Sequence, residues 1–159
     1  MKIAVGSDKK FPVCDFVVED LKKRGHEIGL FGALKKGKNT PWPKVGELVA
    51  EKVVSKEYNQ GILFCWTGTG VSIAANKVPG VRAALCCDAE TARGARQWND
   101  ANILVMSLRL TSENIAKEIL DAWFSSKPEK NKKDRLEMLK RIEKKYSKPY
   151  NRRTLDNLY

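Results

Sequence analysis

A cysteine stands directly before a glycine-rich turn in the segment Cys65-Trp66-Thr67-Gly68-Thr69-Gly70. The apolar run before it predicts a β-strand that ends at Phe64, and a helix is predicted to begin at Val71. Glycines allow successive backbone N–H groups to point toward one place, and a helix N-terminus adds about half a positive charge there. The glycine-rich turn (residues 65–70) is therefore predicted to bind an anion such as a phosphate or an enediolate oxygen. Ordinary turn chemistry is the alternative.

Cys65 itself is the candidate reactive group of this segment. A thiol at the end of a strand and beside a helix N-terminus favours its thiolate form, which can act as a base or as a nucleophile. A buried and unreactive cysteine is the alternative interpretation. The segment has neither the Lys-Ser/Thr ending of a nucleotide-binding P-loop nor the glycine spacing of a dinucleotide-binding motif.

The cysteine and histidine content argues against a metal site and against a disulfide framework. The chain has four cysteines, none in a Cys-x-x-Cys pair, and a single histidine, His26, which is expected to be structural. The first residues turn polar at Gly6, too early for the apolar core of a signal peptide, and no run approaches the roughly 20 apolar residues of a membrane span. A cytoplasmic protein with no membrane association is predicted.

The net charge of +11 suggests nucleic acid as a partner, but much of this charge is concentrated in the C-terminal segment. Residues 127–159 hold 12 Lys and Arg against 5 Asp and Glu, so this segment alone carries +7. Basic helices are often solvated or contact another subunit, and nucleic acid is therefore an unlikely partner.

Strand and helix patterns alternate along the first 126 residues. Strands are predicted over 2–7, 26–31, 61–64, 81–86 and 102–106, and helices over 12–24, 44–55, 71–77, 89–97 and 112–124, with a loop over 32–43. This order predicts an α/β fold, a Rossmann-like three-layer sandwich with a five-stranded parallel sheet and helices on both faces. Asp8, the glycine-rich turn and Asp88 follow strands one, three and four, so they are expected in one crevice at the carboxyl ends of the strands.

The chain divides into an α/β domain over 1–126 and a basic C-terminal helix and tail over 127–159. A charged helix is predicted over 134–146, followed by an irregular tail. Its apolar stripe consists of Leu136, Leu139, Ile142 and Tyr146. Because an isolated helix of this length is marginal in water, the stripe is expected to pack on the domain or on another subunit.

A long central run resembles the ribose 5-phosphate isomerase B and galactose 6-phosphate isomerase family. The run comprises Gly61-Ile62-Leu63-Phe64-Cys65, Thr67-Gly68, Gly70, Ser72-Ile73-Ala74-Ala75-Asn76-Lys77, Pro79-Gly80 and Arg82-Ala83-Ala84. The opening residues 2–8 and the segments 99–102, 116–119 and 121–123 extend the resemblance over about residues 1–146. It implies cofactor-independent aldose–ketose isomerisation of a phosphorylated sugar through a cis-enediolate. It also implies a homodimer or homotetramer with the site at a subunit interface.

The resemblance also implies roles for individual residues. Cys65 would be the base that moves a proton between C1 and C2, Asp8 would contact sugar hydroxyls, and Asn99 would lie beside it. Thr67, Gly68, Thr69 and Gly70 would form the anion hole, with Ser72 in the matched run behind them. Arg109 matches a family arginine associated with phosphate. Lys9, Lys132 and Arg135 stand where the family pattern is changed, and these basic residues are further candidates for binding phosphate as point charges.

Several positions depart from the family pattern. Lys9 and Trp98 stand where the family usually has histidines, and the second of these is assigned to opening the sugar ring. Trp66 replaces a glycine after the cysteine, and Trp42 lies in a changed Pro-Trp-Pro segment. The three tryptophans are predicted to line one pocket and to bind substrate; the alternative is that they fill space left by a lost function. A sugar-phosphate isomerase with a substrate other than ribose 5-phosphate is therefore predicted; the alternative is a sugar-phosphate-binding or regulatory homologue that no longer isomerises.

Overall fold

A computed structural model describes residues 1–129 and 133–147. The strands are β1 (Lys2–Ser7), β2 (Glu27–Gly32), β3 (Gln60–Cys65), β4 (Ala83–Leu85) and β5 (Ile103–Ser107). The helices are α1 (Pro12–Lys23), α2 (Ala33–Lys36), α3 (Trp42–Val54), α4 (Thr69–Ala75), α5 (Ala89–Asn99), α6 (Glu113–Ser125) and α7 (Lys133–Tyr146).

The five strands form one parallel sheet in the order β2-β1-β3-β5-β4. β3 lies at its centre, and its last residue, Cys65, pairs in register with Ser107 at the end of β5. The predicted α/β fold with a five-stranded parallel sheet, helices on both faces and a C-terminal helix is confirmed.

Two apolar layers sandwich the sheet. Alternate residues of β3 point to opposite faces, so Ile62 and Phe64 pack with α1, α5 and α6. Leu63 and Cys65 pack on the other face, with α3 and α4. The thiol of Cys65 therefore lies at the carboxyl end of the sheet, on the face that α3 and α4 cover.

Two glycines in the left-handed backbone region bound a short helix that the sequence pattern did not predict. Gly32 (φ +64°) and Gly37 (φ +68°) flank α2, which lies in the segment predicted as a loop. Four residues are too few to show helical periodicity in a sequence. The next helix, α3, begins at Trp42 rather than at residue 44, because Pro43 in its first turn fits a helix start. At the edge of the sheet, β4 is shorter than the predicted strand over 81–86.

The C-terminal helix lies against its own chain beside the edge strand β4. The backbone N–H of Gly80 donates a 2.7 Å hydrogen bond to Glu143 on α7. Even so, Leu139, Ile142 and Tyr146 of the predicted apolar stripe stay exposed. Lys132 and residues 148–159 of the predicted tail lie outside the described residues. In the part of the chain that the structure describes, no helix is both long and apolar enough to span a membrane.

Candidate active site

The carboxyl edge of the sheet brings together residues that are far apart in the sequence. Asp8 follows β1, Cys65 ends β3 and Arg109 follows β5. Because the three strands are parallel neighbours, these residues meet at one edge, as the sequence predicted for Asp8 and the glycine-rich turn.

The glycine-rich turn folds back on the cysteine that precedes it. The backbone N–H of Gly68 donates to the carbonyl oxygen of Cys65 at 3.2 Å, which closes a tight turn. Gly68 adopts φ +78°, and a Cβ there would lie 2.5 Å from Cδ1 of Leu85. The side chain of Cys65 is 4% exposed, so the thiol lies just beneath this turn.

Hydrogen bonds from the end of β5 hold the backbone of the turn. Leu108 N–H donates to the Cys65 carbonyl at 3.0 Å, and Arg109 N–H donates to the Trp66 carbonyl at 3.0 Å. The Ser107 hydroxyl donates to the same Trp66 carbonyl at 2.9 Å. Sequence reasoning missed Ser107, although its place directly after the strand predicted over 102–106 was a usable signal. The side chain of Arg109 is exposed at this edge.

The anion-binding groups come from the start of α4. This helix begins at Thr69, two residues earlier than predicted, and no side chain caps it. The first backbone N–H groups of a helix have no intrahelical acceptor, so those of Thr69 and Gly70 remain to meet an anion. The hydroxyls of Thr67 and Thr69 lie 2.7 Å apart and add donors beside them. Ser72 lies one turn further along and is half-buried.

Asp8 is a buried carboxyl group at the same edge. Asp8 is only 9% exposed, and its Oδ1 atom has no hydrogen-bond partner among the described residues. Burial raises the pKa of Asp8 above its ordinary value, although the neighbouring charge of Lys9 opposes this. A carboxyl group with a free oxygen can bind a sugar hydroxyl. Lys9 is exposed, so its ammonium can reach an anion over the edge.

Two of the three predicted pocket tryptophans flank the glycine-rich turn. The ring of Trp42 packs over Gly70, where a Cβ would lie 3.0 Å from it. The ring of Trp66 meets Phe11 edge to face, with centroids 5.8 Å apart. Both tryptophans are nearly half exposed, so their rings lie at the surface on either side of the glycine-rich turn.

Trp98 and Asn99 lie at the opposite edge of the sheet. They end α5, which runs back from the carboxyl end of β4 to the amino end of β5, where Ile103 pairs with Gly61. The Trp98 indole N–H donates to Glu129 at 3.1 Å. Within one chain, Trp98 therefore lies apart from Trp42 and Trp66, and Asn99 lies apart from Asp8, so the predicted pocket and the predicted neighbour of Asp8 stay predictions for a site between two chains. The reason is that a crossover helix returns the chain to the amino edge.

The residues predicted to bind phosphate also lie in different parts of the chain's structure. Arg109 and Lys9 lie at the carboxyl edge, whereas Arg135 is on α7. A cleft of about 1050 Å³ separates α7 from the residues around Gly80 and Asn99, at the amino end of β4 and β5. Lys132 lies outside the described residues. Among the residues of this group that the structure describes, Arg109 and Lys9 are the two at the same edge as Cys65.

The single histidine is also remote from Cys65. His26 precedes β2 at the amino edge, and its ring packs on Phe124 with centroids 4.8 Å apart. Burial lowers the pKa of His26. Within residues 1–129 and 133–147, no group of three or more His, Cys, Asp or Glu side chains could hold a metal ion.

The arrangement at the carboxyl edge suits proton transfer at a carbon next to a carbonyl group. A thiol can take the proton, and fixed N–H and hydroxyl donors can stabilise the oxyanion that develops. A buried carboxyl and two exposed cations can bind the hydroxyls and an acidic group of the same molecule.

Comparison with known proteins agrees with this chemistry. A family model described as Ribose/Galactose Isomerase matches residues 3–139. Ribose-5-phosphate isomerase B of Escherichia coli is 37% identical over 146 residues, which cover 91% of this chain and 97% of that protein. D-erythrulose-4-phosphate isomerase of Pectobacterium atrosepticum is 32% identical over 127 residues, which cover 79% of this chain and 84% of that protein.

A solved structure shows the same fold. Ribose-5-phosphate isomerase B of Clostridium thermocellum superposes with a TM-score of 0.86 at 41% identity, covering 92% of this chain and 99% of that chain. The chain therefore belongs to the ribose/galactose isomerase family of aldose–ketose sugar-phosphate isomerases.

Proposed function

We propose that this protein interconverts an aldose phosphate and a ketose phosphate through a cis-enediolate, with Cys65 as the base and a substrate other than ribose 5-phosphate. The observation that carries the proposal is the position of Cys65, which ends β3 directly beneath the glycine-rich turn.

One thiol can carry the proton that this reaction moves between C2 and C1. The Cys65 thiolate takes the proton from C2 of the aldose, the electrons of that bond form the C1–C2 double bond, and O1 becomes the oxyanion. The thiol then returns a proton to C1 while the O2 hydroxyl loses its proton and becomes the ketose carbonyl. O1 gains a proton as O2 loses one, so no atom is gained or lost overall.

The donors of the turn serve the charged intermediate. Backbone N–H groups of Thr69 and Gly70 and the neighbouring hydroxyls would bind the enediolate oxygens, since donors fixed in place are worth most where charge develops. Asp8 would bind a sugar hydroxyl through its free oxygen. Arg109 and Lys9 would hold the phosphate at the exposed rim.

The changed substrate is supported by the groups around Cys65. Trp66 and Trp42 place two large rings at the mouth of the edge. Lysine at position 9 offers a point charge where the family usually has an imidazole.

A second copy of the chain would complete the site in a homodimer or homotetramer. Asn99 lies at the far edge of its own sheet from Cys65, so the two residues can share a site only across a subunit interface. Mixing inactive Cys65→Ala and Asn99→Ala proteins should then regenerate about a quarter of the sites in a twofold dimer. Activity that stays absent after subunit exchange would contradict a shared site.

Exchange of substrate protons with solvent tests the isomerase. The protein is mixed in deuterated water with a panel of tetrose, pentose and hexose phosphates, and deuterium at the carbon next to the carbonyl is followed by NMR. Exchange with at least one substrate is expected, and Cys65→Ala should abolish it. Cys87→Ala is the matched control, because this exposed cysteine follows β4, which β5 separates from β3, and should retain full activity.

The same panel separates the enzyme from a binding protein. A rise in melting temperature with a sugar phosphate, without exchange of any proton, would indicate a homologue that binds but does not isomerise. Exchange that survives in Cys65→Ala would remove Cys65 from the role of base.

A further inference from the structure

Opening a sugar ring requires proton transfers that enediolate formation does not supply. In a cyclic aldose phosphate the C1 hydroxyl loses its proton, the bond from C1 to the ring oxygen breaks, and the ring oxygen gains a proton. A base and an acid must therefore act on two oxygens before Cys65 can reach an aldehyde. Groups that titrate near neutral pH do this best, and histidine is the usual one.

The only imidazole of the whole chain cannot take this role. His26 is the single histidine, and it lies at the amino edge. The six residues of β3 put Cys65 about 17 Å further along the sheet. A second copy cannot supply it either, because its ring packs on Phe124 of its own chain and its Nε2 is buried.

The other groups near the site are already engaged or lack the chemistry. Asp88 is at the carboxyl edge, but its carboxylate accepts hydrogen bonds from the backbone N–H and the hydroxyl of Thr91 at 2.7 and 3.0 Å. Trp98, which a second copy would bring, has an indole that only donates and already donates to Glu129. Within residues 1–129 and 133–147, one buried carboxyl at this edge, that of Asp8, remains for two proton transfers.

Building on the isomerase function above, we propose that the substrate is a sugar phosphate that cannot close a ring, of the four-carbon 4-phosphate class. In such a molecule O4 carries the phosphate and cannot attack C1, and closure through O3 would need a strained four-membered ring. The aldose and its ketose are then both open-chain, so Cys65, the glycine-rich turn and Asp8 suffice.

The dependence on enzyme concentration separates ring opening from chain length. Deuterium incorporation is measured with D-erythrose 4-phosphate and with D-ribose 5-phosphate, which closes a furanose ring. Erythrose 4-phosphate should exchange with kcat/KM at least about 100-fold above that of ribose 5-phosphate, the usual contribution of general acid–base catalysis. As enzyme is added, the rate with ribose 5-phosphate should level off at the rate of spontaneous ring opening, whereas the rate with erythrose 4-phosphate should keep rising in proportion to the enzyme. The His26→Asn variant should show the same rates as the unaltered protein.

The outcomes distinguish this inference from the function on which it rests. Ribose 5-phosphate within about 100-fold of erythrose 4-phosphate would overturn the open-chain substrate and leave the isomerase intact. A ribose 5-phosphate rate that rises in proportion to the enzyme, past the rate of spontaneous ring opening, would overturn the argument from ring opening. A loss of activity in folded His26→Asn would do the same, and no exchange with either substrate would remove the isomerase itself.

Discussion

Replacing Gly68 with alanine should strain the glycine-rich turn in two ways. The backbone at Gly68 has φ +78°, where a residue with a Cβ costs about 1–2 kcal/mol. The added Cβ would also lie 2.5 Å from Leu85 Cδ1 and 3.3 Å from the Met106 carbonyl. Crowding of this kind costs about 1–3 kcal/mol, near the low end here because a leucine side chain can rotate. Gly68→Ala should therefore lower the free energy of unfolding by about 2–4 kcal/mol.

A second glycine provides the matched control. Gly25 has the same φ of +78°, but no atom lies within 4 Å of a Cβ built there. Gly25→Ala should therefore cost only the backbone part, about 1–2 kcal/mol. The difference between the two variants isolates crowding. In a double-mutant cycle, the cost of Gly68→Ala should be about 1 kcal/mol smaller in the Leu85→Ala background than in the unaltered protein.

Urea unfolding and deuterium exchange measure the two consequences. Because Gly68 precedes the N–H donors of α4, Gly68→Ala should also slow exchange about 100-fold, the loss expected when one oxyanion donor is displaced. Gly25→Ala should keep full exchange. A Gly68→Ala protein as stable as Gly25→Ala, or one with undiminished exchange, would refute this account of the turn.

Three further predictions concern charge, the core and assembly. Burial raises the pKa of Asp8 above its ordinary value of 3.8. As the pH rises past 3.8 the unfolded chain therefore ionises first, and the protein loses stability until the folded carboxyl has ionised as well. In urea unfolding, Asp8→Asn should be more stable than the unaltered protein at pH 7 and should have no such advantage below pH 3.8, and its deuterium exchange with substrate should fall. Trp123 is fully buried, and its indole N–H donates to Gln60. Measured by calorimetry, the free energy of unfolding should fall by about 3–5 kcal/mol in Trp123→Ala, which leaves a cavity. It should fall by about 1–3 kcal/mol in Trp123→Phe, because the Gln60 oxygen is then left unpaired. Ile142→Asn should lower the mass measured by light scattering if α7 contacts another subunit, whereas Lys144→Asn on the same helix should not.

The strand pattern predicted the sheet because its signals were local. Buried apolar runs bounded by glycine and polar residues mark β1 and β3, and the helices between them require a parallel sheet. The same reasoning predicted that Asp8 and the glycine-rich turn meet at one edge. The buried state of the Asp8 oxygen was not predictable, because it depends on packing from elements far away in the chain. The α2 helix was missed because four residues carry no periodic signal.

The position of Trp98 and Asn99 could have been predicted from chain connectivity. α5 begins after the carboxyl end of β4 and must deliver the chain to the amino end of β5, so its last residues lie at the amino edge in any parallel crossover. Similarity to a family identified these two positions but did not say which chain's Cys65 they serve. Since half of the Trp98 surface is exposed and its own sheet separates it from its own thiol, a site that contains both has to be built from two chains.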